Sequence, residues 1–117
     1  MILLPSSAPV KPKTLDDLLL SQASSTGAWN DFNLVISFFK NAIEVESERL
    51  KSLAAVTDVS LHGTAWATLL ALYVLHKKFS DRESEWQLIA TKAKKYLKSI
   101  GIAKPDNILK VFKFELN

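Results

Sequence analysis

At 117 residues the chain suffices for one domain around a single core. Hydrophobic residues at 48% against 23% charged exclude a disordered chain, and the lack of cysteine excludes disulfides, thiolate metal ligands and cysteine nucleophiles together. Fifteen basic and twelve acidic side chains leave a formal charge of +3 and a pI near 9.2, an excess too mild to mark a nucleic-acid binder in a chain with only two Arg.

Pro5, Pro9 and Pro12, set among Ser, Ala and Lys, make residues 1–13 a flexible linker, which reads as a tether from a larger protein. A helical domain is expected over 14–117. Thr14 caps a first predicted helix with Asp16 and Asp17 in its first turn, where the helix dipole favours negative charge. Leu15, Leu18, Leu19 and Gln22 share one face of it, and Ser24, Ser25, Thr26 and Gly27 end it before Trp29 in a turn. Asn30 or Asp31 caps a second helix, in which Phe32, Val35, Ile36 and Phe39 recur at spacings of three and four.

Residues 41–55 mix Ile43, Val45, Leu50 and Leu53 with acidic and basic neighbours, predicting a more exposed third helix broken near its start. A loop over 57–63 leads into the run TAWATLLALYVLHKKF, with Ser60 or Thr64 as its cap. Trp66, Leu69, Leu70, Tyr73 and Val74 form one apolar stripe there, and Ala65, Thr68, Leu72, Leu75 and Phe79 form another. Two stripes require neighbours on two sides, so this helix belongs at the centre of a bundle.

Ser80 with Glu83 reads as a capping box for the next helix, which buries Trp86, Ile89, Ala90, Ala93, Leu97 and Ile100 and stops at Gly101. After Lys104 and Pro105, Ile108, Leu109 and Phe112 suit a short last helix. Phe112, Phe114 and Leu116 also alternate with Lys113 and Glu115 as in a strand, which could pair with the N-terminal Ile2-Leu3-Leu4 or with another chain. The expected fold is therefore all-α: a compact bundle of five or six helices with a central apolar helix and possible short β pairing of the termini.

Chemistry is sparse. His62 and His76 lack the spacing and the partners of a zinc site and read as polar edges of the central helix. Asp16/Asp17 and Glu83/Glu85 sit in first turns, where helix-dipole stabilisation of about 0.3–1 kcal/mol each accounts for them without catalysis. No glycine-rich phosphate loop is possible with three separated glycines. Lys77 and Lys78, and Lys92, Lys94, Lys95 and Lys98, fall late in their helices and read as solvated faces. Trp29, Trp66 and Trp86 are expected in the core. No catalytic, cofactor-binding or metal-binding residue is assigned. The apolar run from Ala65 to Leu75 falls short of the roughly 20 residues that span a bilayer, so a cytoplasmic location is expected. Phe112, Phe114 and Leu116 are the candidate protein-binding residues, as the apolar side chains expected to stand exposed.

The order TLDDLLLSQASSTGAW, AWATLLALYVLHKKF, EWQLIATKAKKYL resembles the C-terminal domain of proteins that carry a VIT domain and a von Willebrand factor A domain. The similarity covers about residues 14–100 and rests on Leu18, Leu19, Gln22, Gly27, Trp29, Trp66, Ala67, Leu70, Leu72, Leu75, Phe79, Glu85, Trp86, Leu88, Lys92, Ala93 and Leu97. The architecture also resembles the C-terminal region of vault poly(ADP-ribose) polymerase, which docks on the inner wall of the vault shell through major vault protein. This resemblance implies a non-catalytic interaction module at the end of a larger protein, with major vault protein as a partner. Asp58-Val59-Ser60-Leu61-His62 begins the metal-ion adhesion pattern DxSxS and fails to complete it, and no ADP-ribosyltransferase signature is present. Metal-dependent adhesion and enzymatic activity are therefore not implied. The alternatives are a structural domain packed on its own upstream domains, or a weak nucleic-acid binder using its lysine-bearing helix faces.

Overall fold

In a computed structural model, residues 14–23 and 25–117 are described. The expected linker over 1–13, with Ile2-Leu3-Leu4, lies outside them. Among the described residues, seven α-helices follow one another: α1 Leu15–Leu20, α2 Phe32–Ile36, α3 Ala42–Ser47, α4 Arg49–Ser52, α5 His62–Lys78, α6 Glu83–Ser99 and α7 Pro105–Val111. The bundle is all-α, with α5 at its centre against α2, α6 and α7. Ala65 to Leu75 of α5 are buried without a break, because neighbours cover both of its apolar stripes. With the 3₁₀ turn before it, Val59–Lys78 has the length and composition to cross a membrane, since that turn lengthens the apolar run anticipated from the sequence. Here Ala65 to Leu75 of that stretch are buried within the bundle, as suits a core helix.

Local chemistry explains the element ends. Thr14 and Asp17 form a reciprocal capping box on α1, and the Asp31 and Asn41 side chains accept the third amides of α2 and α3. The expected third helix breaks at Glu48, late rather than near its start, and divides into α3 and α4. At the end of α6, the Ile102 N–H bonds Leu97 O at 2.9 Å and the Gly101 N–H bonds Lys98 O at 3.3 Å. This is a Schellman closure around Gly101, whose φ of +119° suits glycine, and it buries Ile102 in the same cluster as Leu97.

Two expected caps differ. α5 starts at His62 with neither Ser60 nor Thr64 as its cap, because the Asp58 carboxylate accepts from the Ser60 amide and winds Val59–Leu61 into a 3₁₀ turn that feeds the helix directly. The Ser80/Glu83 box is absent. Ser80–Arg82 form a further 3₁₀ turn, and the guanidinium of Arg82 instead grips Glu85 at 2.6 and 2.8 Å.

The α1–α2 connection folds back on itself. Gln22 and Trp29 form an isolated antiparallel bridge, and the Gln22 side-chain amide reaches Gly27 O at 2.8 Å and Ile89 O at 3.0 Å. Gly27, at φ +86°, presses so closely on α6 that an added Cβ would lie 2.7 Å from Lys92 O. All three tryptophans are buried, and each indole N–H has an acceptor: Leu18 O for Trp29, the Glu46 carboxylate for Trp66 and Phe79 O for Trp86.

The tail is helical first and extended second, but the helix stops before Phe112 and the extended part pairs with an internal segment, which the expected pairing of the termini did not name. Pro105 sits at the start of α7, where its missing N–H costs nothing. Beyond Val111 the backbone extends and pairs through Phe39 and Leu116. The partner is thus the segment after α2: Lys40 N–H donates to Glu115 O at 3.0 Å, and Asn117 N–H donates to Phe38 O at 2.9 Å.

Candidate functional site

That extended tail runs beside the last turns of α5. The Tyr73 hydroxyl donates to Phe114 O at 2.8 Å and Lys78 Nζ donates to the main-chain oxygen of Asn117 at 2.8 Å, so α5 and the tail are stapled twice. Between them lies an open groove of about 560 Å³ lined by Tyr73, Lys77, Lys78, Phe112, Lys113, Phe114, Leu116 and Asn117. Burial raises the Tyr73 phenol above its ordinary pKa, so it remains a neutral donor.

The three candidate protein-binding residues are all on this tail, but two of them are not exposed. Phe112 and Phe114 are 4% and 8% exposed, and Leu116 is half-buried. The reason is aromatic packing. Tyr73 meets Phe112 and Phe114 edge-on at 5.8 Å, Phe39 stacks on Tyr73 at 6.0 Å, and Trp66 meets Phe112 at 5.6 Å. The alternation that suggested an exposed apolar edge instead points these rings into the core and turns Lys113 and Glu115 to solvent. Among the described residues, the large apolar side chains that do stand exposed are Leu20, Ile43, Leu50, Val59, Leu88 and Val111.

A second cleft, of about 490 Å³, opens on the other side of the same α5 turn, between His76, Lys77, Lys94, Asp106, Leu109 and Lys110. Lys94 and Asp106 are ion-paired at 3.0 Å across it, and that bond holds the Asp106 carboxyl below its usual range. His76 packs edge-on against Trp86 at 4.9 Å, and its Nε2 is buried with no hydrogen-bond partner. Burial pushes its pKa down, with the nearby Lys94 acting in the same direction. Lys77 belongs to the rims of both clefts.

The other titratable candidates are committed to structure. His62 Nε2 is 2.7 Å from Val56 O, Asp17 closes the α1 cap, and Glu85 holds Arg82. Among the described residues, no three His, Cys, Asp or Glu side chains are grouped so as to hold a metal ion. The groove escaped the sequence reading because its lysines lie on two elements that only the fold brings together. The signal available was the pair Lys77-Lys78 in the last turn of α5, one turn after Tyr73.

No protein-family model matches the chain, and no curated protein and no solved structure is significantly similar to it.

Proposed function

We propose that this domain is a non-catalytic protein-interaction module of a larger protein of the VIT and von Willebrand factor A type, with major vault protein as the partner. The observation that supports a binding role is the lysine-rimmed groove between α5 and the tail, an open concave surface. The residues on which the family resemblance rests are in keeping with it as fold determinants: Gln22 and Gly27 meet α6 next to Lys92, and Trp29, Trp66, Trp86, Leu70, Leu72, Leu75 and Leu97 are core. Leu88 is the apolar exception at 84% exposed, which makes it a surface contact residue in this reading.

The test is co-sedimentation of the purified domain with particles of major vault protein. Binding that saturates and is competed by unlabelled domain is the expected result. A domain that stays in the supernatant at every particle concentration rejects this partner.

A further inference from the structure

We infer that the groove between α5 and the tail receives an extended acidic segment of the partner protein, an inference that rests on the protein-interaction reading and specifies the chemistry of its ligand. Lys77, Lys78 and Lys113 rim the groove, and none of its lining residues is acidic. Lys94 and Lys110 continue the positive band through the adjoining cleft, where Asp106 is the one lining carboxylate and Glu83 is near enough to act on His76. This band holds five of the fifteen basic side chains, and its Asp106 is one of the twelve acidic ones; the other ten bases and eleven acids nearly cancel. Even with Glu83 and Glu115 counted beside it, the band carries more bases than acids among the described residues, a positive surface at one end of α5 that attracts an acidic partner and fixes its orientation.

The main chain fits an extended ligand. Glu115 C=O and Asn117 N–H point to Lys40 and Phe38, so alternation turns the Leu116 N–H and C=O the other way, and among the described residues these have no partner. They can pair with an added strand in the way that exposed sheet edges capture peptides. A nucleic acid is disfavoured, because the band contains no Arg and the groove's Phe112 and Phe114 are buried, leaving no such faces for stacking bases.

The test is fluorescence anisotropy with a labelled peptide alternating Glu and Val, against a Lys and Val counterpart and a single-stranded oligonucleotide. The acidic peptide should bind best and weaken with added salt. Lys77→Gln/Lys113→Gln should reduce its affinity by about tenfold, while Lys98→Gln, on the far turns of α6, should leave it unchanged. Circular dichroism of both variants checks that the bundle is intact. Equal binding of both peptides, tighter binding of the oligonucleotide, or indifference to the double substitution would overturn the inference. Co-sedimentation with major vault protein in a domain that ignores the acidic peptide also overturns it, while leaving the protein-binding reading in place. Peptide binding without co-sedimentation upholds it and removes only that partner.

Discussion

Thr68 and Trp29, 39 positions apart, are joined by a buried hydrogen bond in which the Trp29 N–H donates to Thr68 Oγ1 at 3.0 Å. The same hydroxyl donates its proton to Thr64 O at 2.7 Å, so one side chain both closes a helical turn and terminates the backbone of the α1–α2 connection. Thr68→Val keeps the shape and leaves the Trp29 amide buried without an acceptor. A loss of about 1–3 kcal/mol is expected in urea unfolding followed by tryptophan fluorescence. A midpoint equal to that of the parent would show that the bond contributes nothing net.

Gly27 and Gly63 should respond oppositely to alanine. At Gly27 the φ of +86° and the 2.7 Å approach to Lys92 O leave no room for Cβ. Gly27→Ala is expected to cost about 2 kcal/mol or more, from backbone strain and displacement of the loop from α6. Gly63 lies in the first turn of α5 with Arg49 Nη2 at 3.9 Å as its nearest neighbour, so Gly63→Ala should stabilise by about 0.5 kcal/mol. Thermal unfolding midpoints moving in the same direction for both would contradict this account.

The tail rings should matter as core residues. Phe114→Ala removes a ring held against Phe39 and Tyr73 and is expected to cost about 3 kcal/mol, whereas Val111→Ala, at an exposed position, should change stability by less than about 0.5 kcal/mol. Denaturant titrations of the two variants decide it; similar losses would mean that the tail rings are not packed as described.

His76 gives the fold a pH dependence of known sign. Its folded-state pKa lies below the ordinary value of about 6.5 because burial disfavours the imidazolium. The unfolded chain therefore takes up a proton first, so the contribution is complete above about pH 6.5 and is lost as pH falls from there through the folded-state pKa. Asp106, whose pKa is depressed chiefly by its bond to Lys94, adds a loss at lower pH, as the carboxylate range is crossed. His76→Leu should flatten the decline between pH 7 and 5 without removing the acid limb. An unchanged slope in that window would place the titration elsewhere.

Where the hydrophobic period was long and consistent, sequence reasoning found the element and its neighbours. α5 carries two apolar stripes and is central, while α6 buries Trp86, Ala90, Ala93 and Leu97 as its spacing implies and stops at Gly101. It failed where short polar side chains had competing partners. Asp58 took the Ser60 amide and moved the start of α5, and Ser80 was wound into a 3₁₀ turn that left Arg82 rather than Ser80 at the head of α6. The tail shows the third kind of failure. Alternation of Phe112, Phe114 and Leu116 fixes which side chains share a face, but only the position of Tyr73 and Phe39 decides that this face is the interior. Lys113 joins Lys77 and Lys78 by the same nonlocal packing, so no local pattern could announce the groove.

The clasp of the tail over Tyr73 has a consequence for synthesis. Phe39 and Tyr73 emerge from the ribosome long before Phe112 and Phe114, and until those last rings arrive the nascent bundle presents an uncovered aromatic surface. Closure must therefore await Phe112 and Phe114, and a chain stalled before them would be a natural client for chaperones that recognise exposed rings.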